Sequence, residues 1–125
     1  MPIALAVALG GAAGSLLRYW IATGLTNRTG FIGTGTFAVN ITGAFLIGLL
    51  FGLIETRWTG IPRWVGSGLG IGVLGGYTTF SSYMWDALRH VEEGRWFAAG
   101  LYLFGTLAVG LAAAVAGLAL GRATG

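Results

Sequence analysis

Long apolar stretches alternate with short polar segments along the whole of this chain. The apolar stretches cover residues 3–24, 31–54, 63–88 and 96–120. Each is at least as long as the roughly 20 residues that a helix needs to cross a bilayer. The connecting segments, 26–30, 55–62 and 89–95, hold most of the charge and leave no room for an extramembrane domain. The pattern predicts an all-α integral membrane protein in which residues 1–125 form a single membrane domain of four transmembrane helices.

Composition strengthens this interpretation and excludes several kinds of site. Only 9% of the residues are charged, against roughly 25% in soluble domains. The absence of cysteine excludes disulfides and thiolate metal sites, and a single histidine, His90, excludes a multi-histidine metal site within one chain. Because His90 directly follows Arg89 at the edge of the third stretch, we expect it at the membrane interface. The first stretch has no preceding basic residue and continues past residue 15, so we interpret it as a retained span and not as a signal peptide.

Seven arginines, with no lysine, are spread between the spans. This distribution is typical of anchors at helix ends and lacks the basic stripe of a nucleic-acid-binding surface. Arg57, Arg63 and Arg122 fall on the side of the termini, and Arg28, Arg89 and Arg95 fall on the other, to which Arg18 near the end of the first span adds a fourth. A chain with so little orientation signal can insert both ways and pair with an inverted copy of itself, although a protein of one fixed orientation can show the same balance. Because four helices enclose little space, we expect an oligomer.

The third span has an unusually polar interior. Residues 75–83 place two glycines, four hydroxyl side chains of Ser or Thr and three aromatic rings inside the apolar stretch. Adjacent Gly75 and Gly76 loosen a helix, and a break within lipid persists only where protein or a polar cavity covers the freed backbone groups. We therefore predict that the third helix is broken near its middle. Carbonyls at the end of its first half could hold a buried cation at residues 75–78, while N–H groups of its second half favour an anion.

The polar residues within the predicted spans are neutral, which limits the functions that the chain can have. No Asp or Glu lies near the middle of a span, where proton-driven exporters commonly carry a carboxylate, and His90 has no evident nucleophile to activate as an enzyme would. The neutral polar residues are Asn40, Thr42, Thr78, Thr79, Ser81, Ser82, Tyr102 and Thr106. Hydroxyl and amide donors can replace part of an anion's hydration shell, and the ring edges of Phe80 and Tyr83 carry positive potential. Interhelical hydrogen bonding explains Asn40 equally well, and packing explains the two rings when they are considered alone.

Three motifs occur in order along the first three spans. They are Gly11-Ala-Ala-Gly-Ser-Leu-Leu-Arg-Tyr19, Val39-Asn-Ile-Thr-Gly-Ala-Phe-Leu-Ile-Gly48 and Gly75-Gly-Tyr-Thr-Thr-Phe-Ser-Ser82. Together they resemble the CrcB/Fluc family of fluoride channels, which are small four-span proteins. The third motif is the most specific of the three, and the fourth span matches only loosely.

The resemblance implies passive, electrogenic fluoride efflux by an antiparallel, dual-topology homodimer in the plasma (inner) membrane of a prokaryote. It implies a structural sodium ion at the dimer centre, held by the backbone carbonyls of Gly75 and Thr78 from both chains. It also implies fluoride pathways along the subunit interface. Their expected lining in this chain is Asn40, Thr79, Phe80, Ser81, Tyr83, Tyr102 and Thr106, with Arg18 near an aqueous mouth. Tyr83 stands where the family usually has phenylalanine.

Two other functions fit four short spans. A small multidrug-resistance-type exporter would use an intramembrane glutamate, and the first span has none between Ile3 and Gly24. A noncatalytic membrane subunit would use the glycines only to pack against a larger partner. No nucleotide-binding loop is present, which favours downhill flow over an energy-coupled process.

Overall fold

The computed structural model describes residues 1–124, which form helices and connecting turns without a strand. The helices are α1 (Ile3–Thr29), α2 (Thr34–Thr56), α3 (Arg63–Ser67), α4 (Gly75–Tyr77), α5 (Phe80–Glu92) and α6 (Trp96–Thr124). A π-helical segment, Gly68–Leu74, joins α3 to α4. Of these elements, α1, α2 and α6 are long and apolar enough to cross a membrane. The predicted all-α class is therefore confirmed, as are three of the four predicted spans, whereas the stretch 63–88 consists of shorter helical segments.

The long helices extend past the ends of the apolar stretches. The first helix continues to Thr29, where Gly30 ends it in the left-handed region at φ 66° and donates its N–H to the Thr26 carbonyl. The last helix begins at Trp96 and continues to Thr124. Polar residues remain helical at these ends because the headgroup region adds several ångströms beyond the hydrocarbon core.

The third apolar stretch changes from α-helix to π-helix and back before its first helical part ends. Within Gly68–Leu74 the turns are π-helical, and the Gly75 N–H reaches five residues back to the Gly70 carbonyl. Gly75 and Gly76, which were predicted to loosen the helix, remain helical themselves: Gly75 has helical angles (φ −64°, ψ −37°), and both residues belong to α4. The helix ends after Tyr77, and α5 begins at Phe80.

Glycines bring pairs of helices into close contact. A Cβ added at Gly48 of α2 would overlap the Ala114 carbonyl of α6, and one added at Gly117 would overlap the Phe45 carbonyl in return. Gly14 of α1 lies against the Val73 carbonyl in the same way. The predicted packing role of glycine is confirmed at these contacts. They place α2 beside α6, and α1 beside the π-helical segment and α4.

Candidate functional site: an uncharged cavity where the backbone leaves the helix

Two consecutive threonines carry the chain from α4 into α5. Thr78 (φ −87°, ψ 158°) and Thr79 (φ −149°, ψ 126°) have extended backbones. The Thr79 hydroxyl caps α5 by accepting the Ser82 N–H at 3.2 Å. Threonine is favoured at this position because its side-chain oxygen satisfies a donor that the first turn of a helix leaves unpaired.

Asn40, on α2, satisfies both backbone groups of Thr79. Its Nδ2 donates to the Thr79 carbonyl at 3.0 Å, and its Oδ1 accepts the Thr79 N–H at 2.8 Å. The interhelical hydrogen bonding considered for Asn40 is therefore present. One hydrogen of Nδ2 remains beyond the bond to Thr79, so the same side chain can also donate into the adjacent space.

The carbonyls of Gly75 and Thr78 lose their usual helical donors at this point. In a continuous α-helix they would accept from the N–H groups four residues on, which belong to Thr79 and Ser82. Those two N–H groups instead donate to the Asn40 and Thr79 side chains. Neutral carbonyl oxygens without their helical donors are ligands that a hard cation accepts.

A cavity of about 410 Å³ lies at this point and opens to the surface of the chain. Its lining includes Asn40, Gly75, Thr78, Thr79, Phe80, Tyr83 and Thr106. None of its lining residues carries a formal charge. The cavity thus brings together seven of the residues singled out in the sequence, from α2, α4, α5, α6 and the Thr78–Thr79 link.

Phe80 and Tyr83 are packed edge to face, with ring centroids 6.1 Å apart and planes at 70°. Phe80 is 73% exposed on the single chain, whereas Tyr83 is buried. The Tyr83 hydroxyl donates to the Leu103 carbonyl of α6. It is therefore committed to the neighbouring helix, and the extra hydroxyl at this position ties α5 to α6.

Tyr102 belongs to a second cavity, of about 470 Å³, and not to the first. Its ring lies 5.3 Å from that of Tyr83, and its hydroxyl donates to Asp86 Oδ2 at 3.3 Å. Thr106 lines both cavities. The partnership with Asp86 was not predicted, because in the sequence that carboxylate is only one acidic residue near the end of an apolar stretch.

Arg18 and Ser81 lie outside the lining of the two cavities. Arg18, on α1, donates from Nε to the Gly76 carbonyl at 3.0 Å, which places it beside α4. Ser81 is exposed, with its hydroxyl 3.2 Å from that of Thr79.

His90 lies in the last turn of α5, near the turn that precedes α2. Its side chain is 1% exposed and is therefore buried within the chain, which the sequence did not predict. It lines the second cavity together with Tyr102 and Thr106. The sequence offered one sign of this burial: His90 stands at helical spacing from Ala87, a small apolar residue. The charged Arg89 beside His90 instead suggested a polar, exposed position.

The family model and the similar proteins all indicate the same family. The family model described as CrcB-like protein, Camphor Resistance (CrcB), matches residues 5–118. The fluoride-specific ion channel FluC 1 of Nitrobacter hamburgensis is 40% identical over 94% of both chains. The fluoride-specific ion channels FluC of Solibacter usitatus and Agrobacterium fabrum are 41% and 44% identical, over 94% and 93% of this chain and 97% and 93% of their own lengths. The family resemblance is thus confirmed, and this chain belongs to the CrcB family of membrane proteins.

Proposed function

We propose that this chain is a fluoride-specific ion channel that lets fluoride leave the cell passively. The observation that carries the proposal is the uncharged cavity at Thr78–Thr79, in a chain that belongs to the CrcB family. Fluoride is small and strongly hydrated, so a pathway must offer donors in place of water. The remaining Nδ2 hydrogen of Asn40, the hydroxyls of Thr79 and Thr106 and the ring edge of the exposed Phe80 are such donors, and no lining carboxylate opposes an anion.

The lining of the first cavity also favours passive fluoride flow over proton-coupled transport. A proton-coupled exporter needs a titratable group in the transport path, and none lines the first cavity apart from the Tyr83 phenol, which donates to Leu103. The multidrug-exporter alternative has no comparable support. Fluoride that enters as the neutral acid and dissociates in the cytoplasm would leave along its electrochemical gradient.

An antiparallel homodimer would complete the pathway. The first cavity opens to the surface of a single chain, and Phe80 projects there from the start of α5. A second, inverted copy would enclose that open side, and the balance of three arginines against three permits both insertions. Each end of the bundle also carries one ion pair, Arg122 with Glu55 at one end and Arg95 with Glu93 at the other.

A sodium ion at the dimer centre would fit the chemistry of the donors in this chain. Gly75 and Thr78 line the first cavity, and the N–H groups that would ordinarily occupy their carbonyls donate elsewhere. The charge of such an ion would stabilise the dimer and make the adjacent region more favourable to an anion. Replacing sodium with N-methylglucamine at constant ionic strength is expected to lower the melting temperature of the purified dimer; an unchanged melting temperature would count against this ion.

Fluoride efflux from liposomes that contain only this protein tests the function. With potassium fluoride inside and valinomycin to carry the balancing potassium, we expect rapid fluoride release that stops when valinomycin is omitted. Phe80→Ile should slow release while the dimer elutes normally, because it removes the ring edge and keeps apolar volume. Leu107→Ile, a conservative change on the same cavity, is the matched control. Correctly inserted wild-type protein that releases no fluoride would refute the proposal.

A further inference from the structure

The helix that ends at Tyr77 leaves its last carbonyls without the donors of a following turn. The Leu74 carbonyl still accepts the Thr78 N–H at 3.1 Å. In a continuous helix the Gly76 carbonyl would accept the Phe80 N–H, but Phe80 begins α5 after two extended residues. Within a membrane, a carbonyl in this position needs a donor from another part of the protein.

That donor is Arg18, which belongs to α1. Its Nε lies 3.0 Å from the Gly76 carbonyl oxygen, and the contact is partly buried. Arg18 precedes Gly24, the end of the first apolar stretch, by six residues, which is about 9 Å along a helix. It makes no ion pair among residues 1–124. Charged side chains inside a membrane commonly pair with backbone carbonyls, and a cation at the C-terminal end of a helix is stabilised by the helix dipole.

Small residues on one face of α1 bring Arg18 within reach of α4. A Cβ added at Gly76 would lie 2.6 Å from the Gly11 carbonyl oxygen, and one added at Gly14 would lie 2.9 Å from the Tyr77 nitrogen. Positions 11, 14 and 18 recur at spacings of three and four residues, so they share one face of the helix. The sequence motif at residues 11–19 therefore has a structural explanation, because its glycines permit the close approach and its arginine makes the hydrogen bond.

The carbonyls around the end of α4 are divided between two sides of the segment. Gly75 and Thr78 line the first cavity, whereas Gly76 is not part of that lining and packs against α1. Two adjacent glycines restrict their own backbone angles very little. A hydrogen bond to the Gly76 carbonyl therefore limits the rotation of the neighbouring peptide groups, including the one that carries the Gly75 carbonyl.

We propose that Arg18 is a positioning residue that fixes the end of α4 and thereby directs the Gly75 and Thr78 carbonyls toward the first cavity. The hydrogen bond from Nε performs this role, and it does so independently of any effect that the guanidinium charge has on an anion. The expected effect on transport rests on the proposed fluoride function, whereas the hydrogen bond can be measured without fluoride.

Two substitutions separate the hydrogen bond from the charge. The amide nitrogen of glutamine is as many bonds from Cα as the Nε of arginine, so Arg18→Gln keeps a donor at that position and removes the charge. Arg18→Met removes both the donor and the charge but keeps a long, flexible side chain. Arg28→Met, an exposed change in the last turn of the same helix, is the matched control.

Gly76–Tyr77 is the only Gly–Tyr pair in the sequence, which makes its carbonyl observable by nuclear magnetic resonance. Full-length protein in nanodiscs, labelled with 13C-carbonyl glycine and 15N-tyrosine, gives a single correlation for this pair. Loss of the hydrogen bond should move the Gly76 carbonyl signal upfield in Arg18→Met, whereas Arg18→Gln and Arg28→Met should stay close to wild type. An unchanged signal in Arg18→Met would overturn the positioning role.

The wild-type protein provides a test that does not depend on whether a variant folds. With the arginine Cζ carbon also labelled with 13C, the Gly76 carbonyl signal, selected through the Tyr77 nitrogen, should show a through-space contact to an arginine Cζ. The absence of this contact would equally overturn the proposal.

Fluoride efflux then shows whether the hydrogen bond affects transport. Arg18→Met should release fluoride several-fold more slowly than Arg18→Gln, because only Arg18→Gln keeps the carbonyl restrained. Equal rates in these two variants would show that the hydrogen bond does not act in transport and would overturn the positioning role. Wild-type protein that shows the Cζ contact yet releases no fluoride would refute the proposed channel function and leave the capping of α4 by Arg18 standing.

Discussion

Asn40 is the residue on which the local geometry most depends. Thr79 lies in extended backbone within an apolar bundle, where its N–H and carbonyl groups lack the partners that a continuous helix would supply. One side-chain amide offers a donor and an acceptor in the spacing that a peptide group presents, and Asn40 uses both on Thr79. Asparagine is therefore required here for a structural reason as well as for any contact with fluoride.

Replacing Asn40 with leucine is expected to destabilise the protein strongly. Each buried backbone group left without a partner costs about 1–3 kcal/mol, so the two groups of Thr79 together should lower the free energy of unfolding by about 2–6 kcal/mol. Detergent-induced unfolding followed by circular dichroism measures this loss. Asn27→Leu, an exposed change near the end of α1, is the control. Equal stabilities of the two variants would show that the amide bonds contribute little.

Substitutions of Tyr83 can distinguish the contribution of its hydroxyl from that of its ring to fluoride release and stability. Because its hydroxyl donates to the Leu103 carbonyl, only the ring is available beside Phe80. Tyr83→Phe should keep fluoride release within about twofold and lower stability by about 1 kcal/mol, the usual net value of one hydrogen bond. Tyr83→Leu should slow release severely in the same efflux assay. If Tyr83→Phe slows release as much as Tyr83→Leu, the hydroxyl acts on the ion directly.

At the scale of whole helices, the close contact between α2 and α6 depends on glycine residues. Gly48 and Gly52 of α2 face Gly117 and Gly121 of α6, and an added Cβ at each would meet the backbone of the other helix. Lipid surrounds such helices with carbon as apolar as their own side chains, so close backbone packing supplies much of the attraction that water would otherwise drive. This contact holds Asn40 of α2 and Thr106 of α6 at the first cavity.

A methyl group at Gly48 should therefore be costly. Gly48→Ala overlaps the Ala114 carbonyl, and we expect a loss of about 1–3 kcal/mol in the free energy of unfolding, as for other overpacked positions. Gly24→Ala on α1 meets no atom within 4 Å and should be neutral or stabilising by up to about 1 kcal/mol. Thermal unfolding of the two variants in one detergent compares them. A Gly48→Ala variant as stable as Gly24→Ala would refute the close-packing explanation.

At the scale of the whole molecule, the distribution of charge bears on how the chain enters the membrane. Each end of the bundle carries three arginines, one of them ion-paired with a glutamate. The signal that normally selects one orientation is therefore weak. The proposed inverted copy would cover Phe80, which is 73% exposed on a single chain.

Cysteine labelling tests the two orientations directly, since the chain has no cysteine of its own. Thr59→Cys and Glu93→Cys place one thiol at each end of the bundle. In intact cells, a maleimide that does not cross membranes should label about half of each variant if insertion is equally divided. Labelling of one variant alone would show a single orientation, and the inverted dimer would then be excluded.

The sequence by itself determined the membrane class, the approximate long helices and most of the polar residues at the first cavity, because bilayer thickness sets span length and an apolar environment makes every polar residue conspicuous. Only the tertiary structure located the end of α4 after Tyr77, since the partner that stabilises Thr79 is a side chain 39 residues away. The direction of the Tyr83 hydroxyl and the burial of His90 were decided by Leu103 and Ile32 on other parts of the chain. Hydrophobic pattern is a local property of the chain, whereas hydrogen-bond partners in lipid come from whichever helices pack together.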